Sequence, residues 1–257
     1  MRIARFSDGT NPVYGALEEG STRIVGLKGD PLFSPVEPSG QIYELGEVRL
    51  LSPVIPRSKV VGIGNNYSGA PIPADERTEP PIFLKANTCV IGPDDPIAIP
   101  RWSNDVVFEG ELAIVIKSLA KDVNVEDAPQ MILGYTIAND VTARDQMTGG
   151  PWARGKSFDT ACPLGPWITV DPDLDVDNLS LRSFLNGQGA QDASTSTMIW
   201  NPFELVSYVS HQMTLLPGDV IATGAPAGAQ VVHAGDRVEI EIEIEGIGRL
   251  TNPVVRA

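Results

Sequence analysis

Phe108-Glu109-Gly110-Glu111-Leu112-Ala113-Ile114-Val115-Ile116 joins two carboxylates to an unbroken apolar run, and its reading decides the fold. Five successive apolar residues leave no polar face for water, so Leu112 to Ile116 predicts a strand buried on both faces. Glu109 and Glu111 are two apart, so in an extended chain both side chains leave the same face at the mouth of that strand. Carboxylates placed there need a partner; a divalent cation is one candidate and an arginine is another. The same spacing recurs in Glu239, Glu241, Glu243 and Glu245, where alternation with Ile240, Ile242 and Ile244 marks an ordinary solvated strand face.

Short apolar runs separated by turn formers continue on either side. Val60-Val61-Gly62-Ile63 reads as a strand and Gly92-Pro93-Asp94-Asp95-Pro96 as a turn. Further strands are expected at Gly134-Tyr135-Thr136-Ile137-Ala138, Trp167-Ile168-Thr169-Val170, Val220-Ile221-Ala222-Thr223 and Val238 to Ile244. The 25 Gly and 22 Pro are spread through the 257 residues, which fits many short strands and tight turns. The expected class is mainly β (α+β), a barrel or sandwich. One helix is signposted by Asn201 as N-cap, Pro202 at the first helical position and Glu204 in the first turn. Phe203, Val206, Val209 and Met213 give it an apolar stripe, and Pro217-Gly218 is the expected stop. The prolines of Leu51-Ser52-Pro53-Val54-Ile55-Pro56 stiffen a connection. They divide a small N-terminal strand-rich unit, residues 1–55, from a larger unit, residues 56–257.

With 19 Lys and Arg against 33 Asp and Glu, the net charge of -14 offers no footprint for nucleic acid or anionic membrane surfaces. The N-terminus meets a charge and a turn former too early for a signal peptide, and no stretch is long enough to span a bilayer. Cys89 and Cys162 are too few and too far apart to announce a disulfide framework or a zinc site. They read as reduced thiols of a cytoplasmic protein.

Two further residues are singled out. Asp140 follows the apolar run Tyr135 to Asn139, a place for a turn residue or helix N-cap as well as for a ligand. With Glu109 and Glu111 it would make an oxygen-only donor set, which selects Mg2+, Mn2+ or Ca2+ over zinc. Lys156, in Arg154-Gly155-Lys156-Ser157-Phe158-Asp159, reads either as a surface charge or as a donor to a substrate oxygen. Ser157 lacks a Gly-x-Ser-x-Gly elbow, Cys162 has no recognisable histidine partner, and the glycine loops match no nucleotide-binding pattern.

At these residues the chain resembles the fumarylacetoacetate hydrolase family, in the branch of acylpyruvases, oxaloacetate decarboxylases and hydroxyheptadienedioate isomerases. Phe108 to Ala113, Gly134 to Asp145, Gly155 to Asp159, Cys162 to Trp167, Gly246 to Gly248 and Thr251 to Val255 carry the likeness, which extends from Lys59 to Val255. The resemblance implies a mixed β-sandwich roll, a homodimer and Mg2+ or Mn2+ held by Glu109, Glu111 and Asp140. It implies Lys156 and Arg144 as catalytic groups and a small-molecule substrate contacted by Tyr67, Met147, Gly224 and Ala225. A mobile lid is implied from Gly69 to Pro81. The shared chemistry would be chelation of an enolisable 1,3-dicarbonyl or 2-oxo acid, followed by hydrolysis, decarboxylation or isomerisation.

Four positions depart from the family pattern. Ala70 and Pro73 stand where the lid histidine and glutamate are expected, Met147 where a glutamine is expected, and Ala225 where a threonine is expected. His211 and His233 match no catalytic position. Asp75, Glu76 or Glu79 is left as a substitute base in the lid. A cyclase or dehydratase acting on a larger apolar substrate is the second expectation, and a non-catalytic metal-dependent binding protein the third.

Overall fold

The computed structural model describes every residue except 19, 69–71 and 243–245. Ala70 of the lid and Glu243, Ile244 and Glu245 of the alternating strand lie outside the described residues.

Strands carry the architecture. From edge to edge the long sheet passes through Pro38–Glu44, Arg23–Leu27, Pro12–Leu17, Arg2–Ser7, Cys162–Thr169, Ile132–Asn139, Gly110–Ile116, Val220–Ala222, Val60–Ile63 and Ile82–Lys85. Gly110–Ile116 is buried throughout. It pairs antiparallel with Ile132–Asn139, Leu112 opposite Ile137, and with Val220–Ala222, Ile114 opposite Ile221. Flanked at both edges and covered on both faces, it has no wet side, which is why it reads Leu-Ala-Ile-Val-Ile.

A second sheet, Gln188–Ser194, Ser180–Leu185, Arg237–Ile242, Gly248–Arg256 and Ile97–Ile99, closes against the first. The two sheets come close at Gly110, where a Cβ would meet Ile240 Cγ2 at 2.9 Å and Gln191 Oε1 at 3.0 Å. The glycine between the two glutamates is therefore where the second sheet seats. Its neighbours Glu109 and Glu111 face the other way. The result is a mixed, mainly β sandwich roll with few helices. The first fifty residues extend the long sheet, Arg2 and Ile3 pairing with Thr169 and Ile168, around a small core of Ala4, Phe6, Leu17 and Ile24.

The helix runs over Pro202–Gln212. Asn201 Oδ1 accepts the N–H groups of Phe203 and Glu204 at 3.0 and 2.9 Å, and Glu204 Oε2 accepts the N–H of Asn201 at 2.8 Å. This reciprocal box satisfies donors that a helix start leaves orphaned. Leu205, Val206 and Val209 enter the main core. The helix stops short of the expected Pro217-Gly218, because Leu215 bridges to Ala120 and the Asp219 carboxylate accepts the Leu216 N–H at 2.9 Å. Asn201→Ala should cost about 1 kcal/mol and lower Tm by roughly 2–4 °C. Scanning calorimetry checks this, and an unchanged Tm would show the box to be idle.

Candidate active site

Glu109 stands where the chain changes sheets. The spacing predicts one strand through both glutamates, but Val106–Phe108 pairs with Thr142–Ala143 in a small separate sheet and the central strand begins at Gly110. At the break Glu109 N–H donates to Asn139 Oδ1 at 3.0 Å, and Asp140 N–H donates to Glu109 O at 2.8 Å. These two bonds replace the missing ladder and bring the 139–142 segment against Glu109 and Glu111.

Lys156 enters this corner from the end of the short helix Ala153–Lys156 and is buried. Its Nζ donates to Glu109 Oε2 at 2.9 Å, to Thr142 Oγ1 at 2.7 Å and to Asp140 Oδ2. Lys85, which the sequence reading passed over, is fully buried and donates to Asp140 Oδ1 and to the carbonyl of Val141, the latter at 3.3 Å. It ends the edge strand Ile82–Lys85, and the two-residue period places it on the inward face with Phe83. The Phe83 ring centroid lies 4.7 Å from Lys156 Nζ. A lone lysine on the buried face of Ile-Phe-Leu-Lys was the available signal.

Glu111 has no such cation. Buried at 2% exposure, it accepts the Gly224 N–H at 2.8 Å and, among the described residues, forms no ion pair. Burial, then the charges of Asp140 and Glu109, push its carboxyl well above the usual range. Burial also works to raise Asp140, but Lys85 and Lys156 outweigh it and hold that carboxyl below its ordinary value. Burial works against the Lys156 ammonium, yet Asp140 and Glu109 outweigh it and raise its pKa. The paired Lys156 is thus placed as a candidate donor to a substrate oxygen.

Gly224 carries the loop that serves Glu111. Its φ is +97°, and a Cβ there would meet Asn66 Cβ at 2.8 Å. Asn66 braces that loop, its Nδ2 donating to Thr223 O at 2.7 Å and to Trp200 O at 3.0 Å. Tyr67 follows, its buried hydroxyl without a hydrogen-bond partner among the described residues; burial, then the charge of Glu111, raises its pKa. Ala225 is half-buried beside Gly224 and offers no polar side chain. Met147 packs on the glycine of the lysine helix, since a Cβ on Gly155 would meet Met147 Cγ at 2.6 Å.

Arg144 is not drawn into the cluster. Its guanidinium is half-exposed and forms a two-pronged pair with Asp105, Nη2 to Oδ1 at 2.8 Å and Nε to Oδ2 at 3.2 Å. The lid carboxylates make no contact with the cluster either. Asp75 and Glu76 are exposed, and Glu79 lies at the Tyr208 hydroxyl. His211 Nδ1 is 2.8 Å from Ser207 O of its own helix, so it too stands apart.

The corner's chemistry fits a hard divalent ion. Three carboxylates meet two lysines, Glu111 forms no ion pair among the described residues, and every carboxylate offers oxygen. As folded, no group of three or more Asp, Glu, His or Cys side chains among the described residues is gathered to hold an ion, and Lys156 stands between Glu109 and Asp140. An ion in this corner would compete with the Lys156 ammonium for both carboxylates.

The structure is a strand-rich sandwich with buried acids and lysines at a break in its central strand. Residues 59–255 match the family model for the fumarylacetoacetate (FAA) hydrolase C-terminal domain, and residues 1–53 match the Rv2993c-like N-terminal model. The chain belongs to the fumarylacetoacetate hydrolase family of enzymes. It is 50% identical to Protein Rv2993c of Mycobacterium tuberculosis, over 100% of this chain and 98% of that one. Oxaloacetate tautomerase fahd2, mitochondrial, of Xenopus laevis is 38% identical over 86% of this chain and 73% of its own length. Among solved structures, 5-carboxymethyl-2-hydroxymuconate delta-isomerase from Mycobacterium smegmatis superposes with a TM-score of 0.92 at 43% identity, covering 100% of both chains. Maleylpyruvate hydrolase from Sphingobium sp. SYK-6, in complex with manganese(II) ion and pyruvate, superposes at 0.82 with 28% identity, again over 100% of both. Among the described residues no helix is long and apolar enough to cross a membrane.

Proposed function

We propose that the chain is a divalent-metal-dependent isomerase that moves a proton between carbon and oxygen of an enolisable 2-oxo acid. The observation that carries this reading is a site rich in groups that hold an enolate and poor in groups that activate water. Lys156 is fixed as a cation beside Glu109 and Asp140, while the lid has Ala70 and Pro73 at the dyad positions and sends no carboxylate to the cluster. Hydrolysis needs an added water activated by a base, whereas tautomerisation adds no water: one proton leaves carbon, the enolate is held, and one proton is returned at oxygen, an exchange that solvent can carry. The relatives support it: one is a tautomerase, one an isomerase, and the hydrolase holds manganese and pyruvate.

Glu109, Glu111 and Asp140 would hold Mg2+ or Mn2+, which when bound supplies Lewis acidity toward the substrate oxygens. Around it, Lys156 Nζ would turn an N–H released by Glu109 or Asp140, once the ion takes those carboxylates, to the oxygen on which charge develops. The Gly224 N–H fixes the orientation of Glu111, and Lys85 fixes that of Asp140. Tyr67 offers its unpartnered hydroxyl to a substrate oxygen. All these groups lie in residues 56–257, the unit we propose carries the chemistry.

A second reading keeps the site and enlarges the substrate. A cleft of about 410 Å³ is lined by Pro81, Phe83, Pro151 and Trp152 among others, and would suit an apolar tail.

The test is enol-to-keto conversion of oxaloacetate followed by ultraviolet absorbance, with acylpyruvate cleavage alongside, after chelation and after Mg2+ or Mn2+ is restored. Metal-restored tautomerisation with at least about 100-fold slower cleavage is expected, the span that acid–base assistance supplies. Cleavage as fast as tautomerisation would overturn the proposal, and turnover confined to long-tailed substrates would favour the second reading.

A further inference from the structure

Asp105 and Arg144 face each other at the end of a paired segment. Val106 pairs with Ala143, and the next residue out on each strand is Asp105 and Arg144, joined also by Arg144 N–H to Asp105 O at 2.8 Å. The two segments are fastened beyond the ion pair. Ser103 Oγ donates to Asp145 Oδ1 at 2.7 Å, Asn104 N–H to Asp145 Oδ2 at 3.1 Å, and Gln146 Nε2 to Trp102 O at 3.2 Å. Neither fastening needs the Arg144 guanidinium. The arginine therefore keeps its place in the chain whether or not its side chain is engaged.

That place adjoins the site. Thr142, two residues earlier, accepts from Lys156, and Ala143 O lies against Gly155 of the lysine helix, where a Cβ would meet it at 2.8 Å. The Asp105 carboxylate, and last the charge of Glu109, raise the pKa of Arg144. A guanidinium engaged at two points by one carboxylate has the geometry with which it would engage another.

We infer that Asp105 occupies the substrate-carboxylate position on Arg144 in the resting enzyme and must be displaced when a 2-oxo acid binds. Asp105 is then a specificity-determining residue: it lets only a ligand bearing a carboxylate of its own take the arginine, and it weakens that ligand by the strength of the resting pair. The pair is half-exposed, so the competition is worth about fivefold at most, equivalent to ~1 kcal/mol. The inference rests on the reading of the substrate as a 2-oxo acid, and deepens it.

The experiment measures oxalate binding to the Mn2+-loaded protein by titration calorimetry, with KM and kcat for oxaloacetate, in wild type, Asp105→Asn, Arg144→Gln and the double variant. Asp105→Asn is expected to lower the oxalate Kd and the oxaloacetate KM by about three- to fivefold, with kcat unchanged. The gain should vanish in the Arg144→Gln background. An unchanged or raised Kd in Asp105→Asn, or a gain that persists without Arg144, overturns the inference, and so does failure of both proteins to bind oxalate. In that last case, turnover of oxaloacetate by the wild type separates a wrong assignment of the grip from a wrong assignment of the substrate.

Discussion

Lys156→Met is expected to lower kcat for oxaloacetate tautomerisation by about 10²–10³-fold, the cost of deleting one preorganised donor from a dry site. The loss should fall on kcat more than on KM, because the ammonium acts on charge that develops in the transition state. In the resting protein its three donors are held by Glu109, Asp140 and Thr142, so the lysine is placed before substrate arrives, and one donor must be released to the substrate oxygen. Lys156→Arg restores the charge but not the shape. A planar fork cannot point three donors at three converging oxygens, so that variant should recover less than about a tenth of the lost rate. Manganese titration of the methionine variant separates two causes of inactivity. Removing the cation that competes for Glu109 and Asp140 should leave metal affinity equal or tighter. Normal turnover in Lys156→Met would assign the donor role elsewhere, with the Tyr67 hydroxyl the first candidate.

Much of this site was legible because its residues sit on strong patterns. The buried run after Glu111 required a central strand, which holds Glu111 but begins only at Gly110, so Glu109 meets the cluster from a break that the two-residue spacing did not show. Glycine between them had no evident purpose until the second sheet came to rest on it at Ile240 and Gln191. What periodicity could not supply was pairing between distant segments. Lys85 belongs to a four-residue edge strand and meets Asp140 fifty-five residues later, a contact set by sheet order. Asp105 is invisible for the same reason: an exposed acid before an apolar run is ordinary until the chain folds Arg144 beside it. The helix stop was misplaced because Pro217-Gly218 is a real turn, but the chain leaves the helix earlier to bridge Leu215 with Ala120. The lid residues Asp75, Glu76 and Glu79 show the reverse case, in which position in the lid suggested either a substitute base or a solvated charge, and the carboxylates lie exposed or at Tyr208.

Lys85→Met should be the most destabilising of the site variants, costing about 3–5 kcal/mol, the range for removing one partner of a buried ion pair. Both partners are buried, so the Asp140 carboxylate would lose half its neutralisation with no access to water. The denaturant midpoint measures this. Asp140→Asn in the same chain should recover a large part of the loss, because an amide does not need the cation. The dependence on pH has a definite sign. Asp140 is held below its ordinary value in the folded protein, so it contributes stability at pH above its unfolded pKa of about 3.9, lost as pH falls through the depressed folded value. Without Lys85 that depression shrinks, so acid unfolding of the variant should begin at higher pH. Once Asp140 is protonated in both proteins, the gap between them should narrow. Added Mn2+ should also narrow it at neutral pH if the ion is bound through Asp140, since a bound cation replaces the missing charge. Equal midpoints in wild type and Lys85→Met would mean that Lys156 alone neutralises Asp140. Lys85 would then be a second buried cation free to meet the substrate.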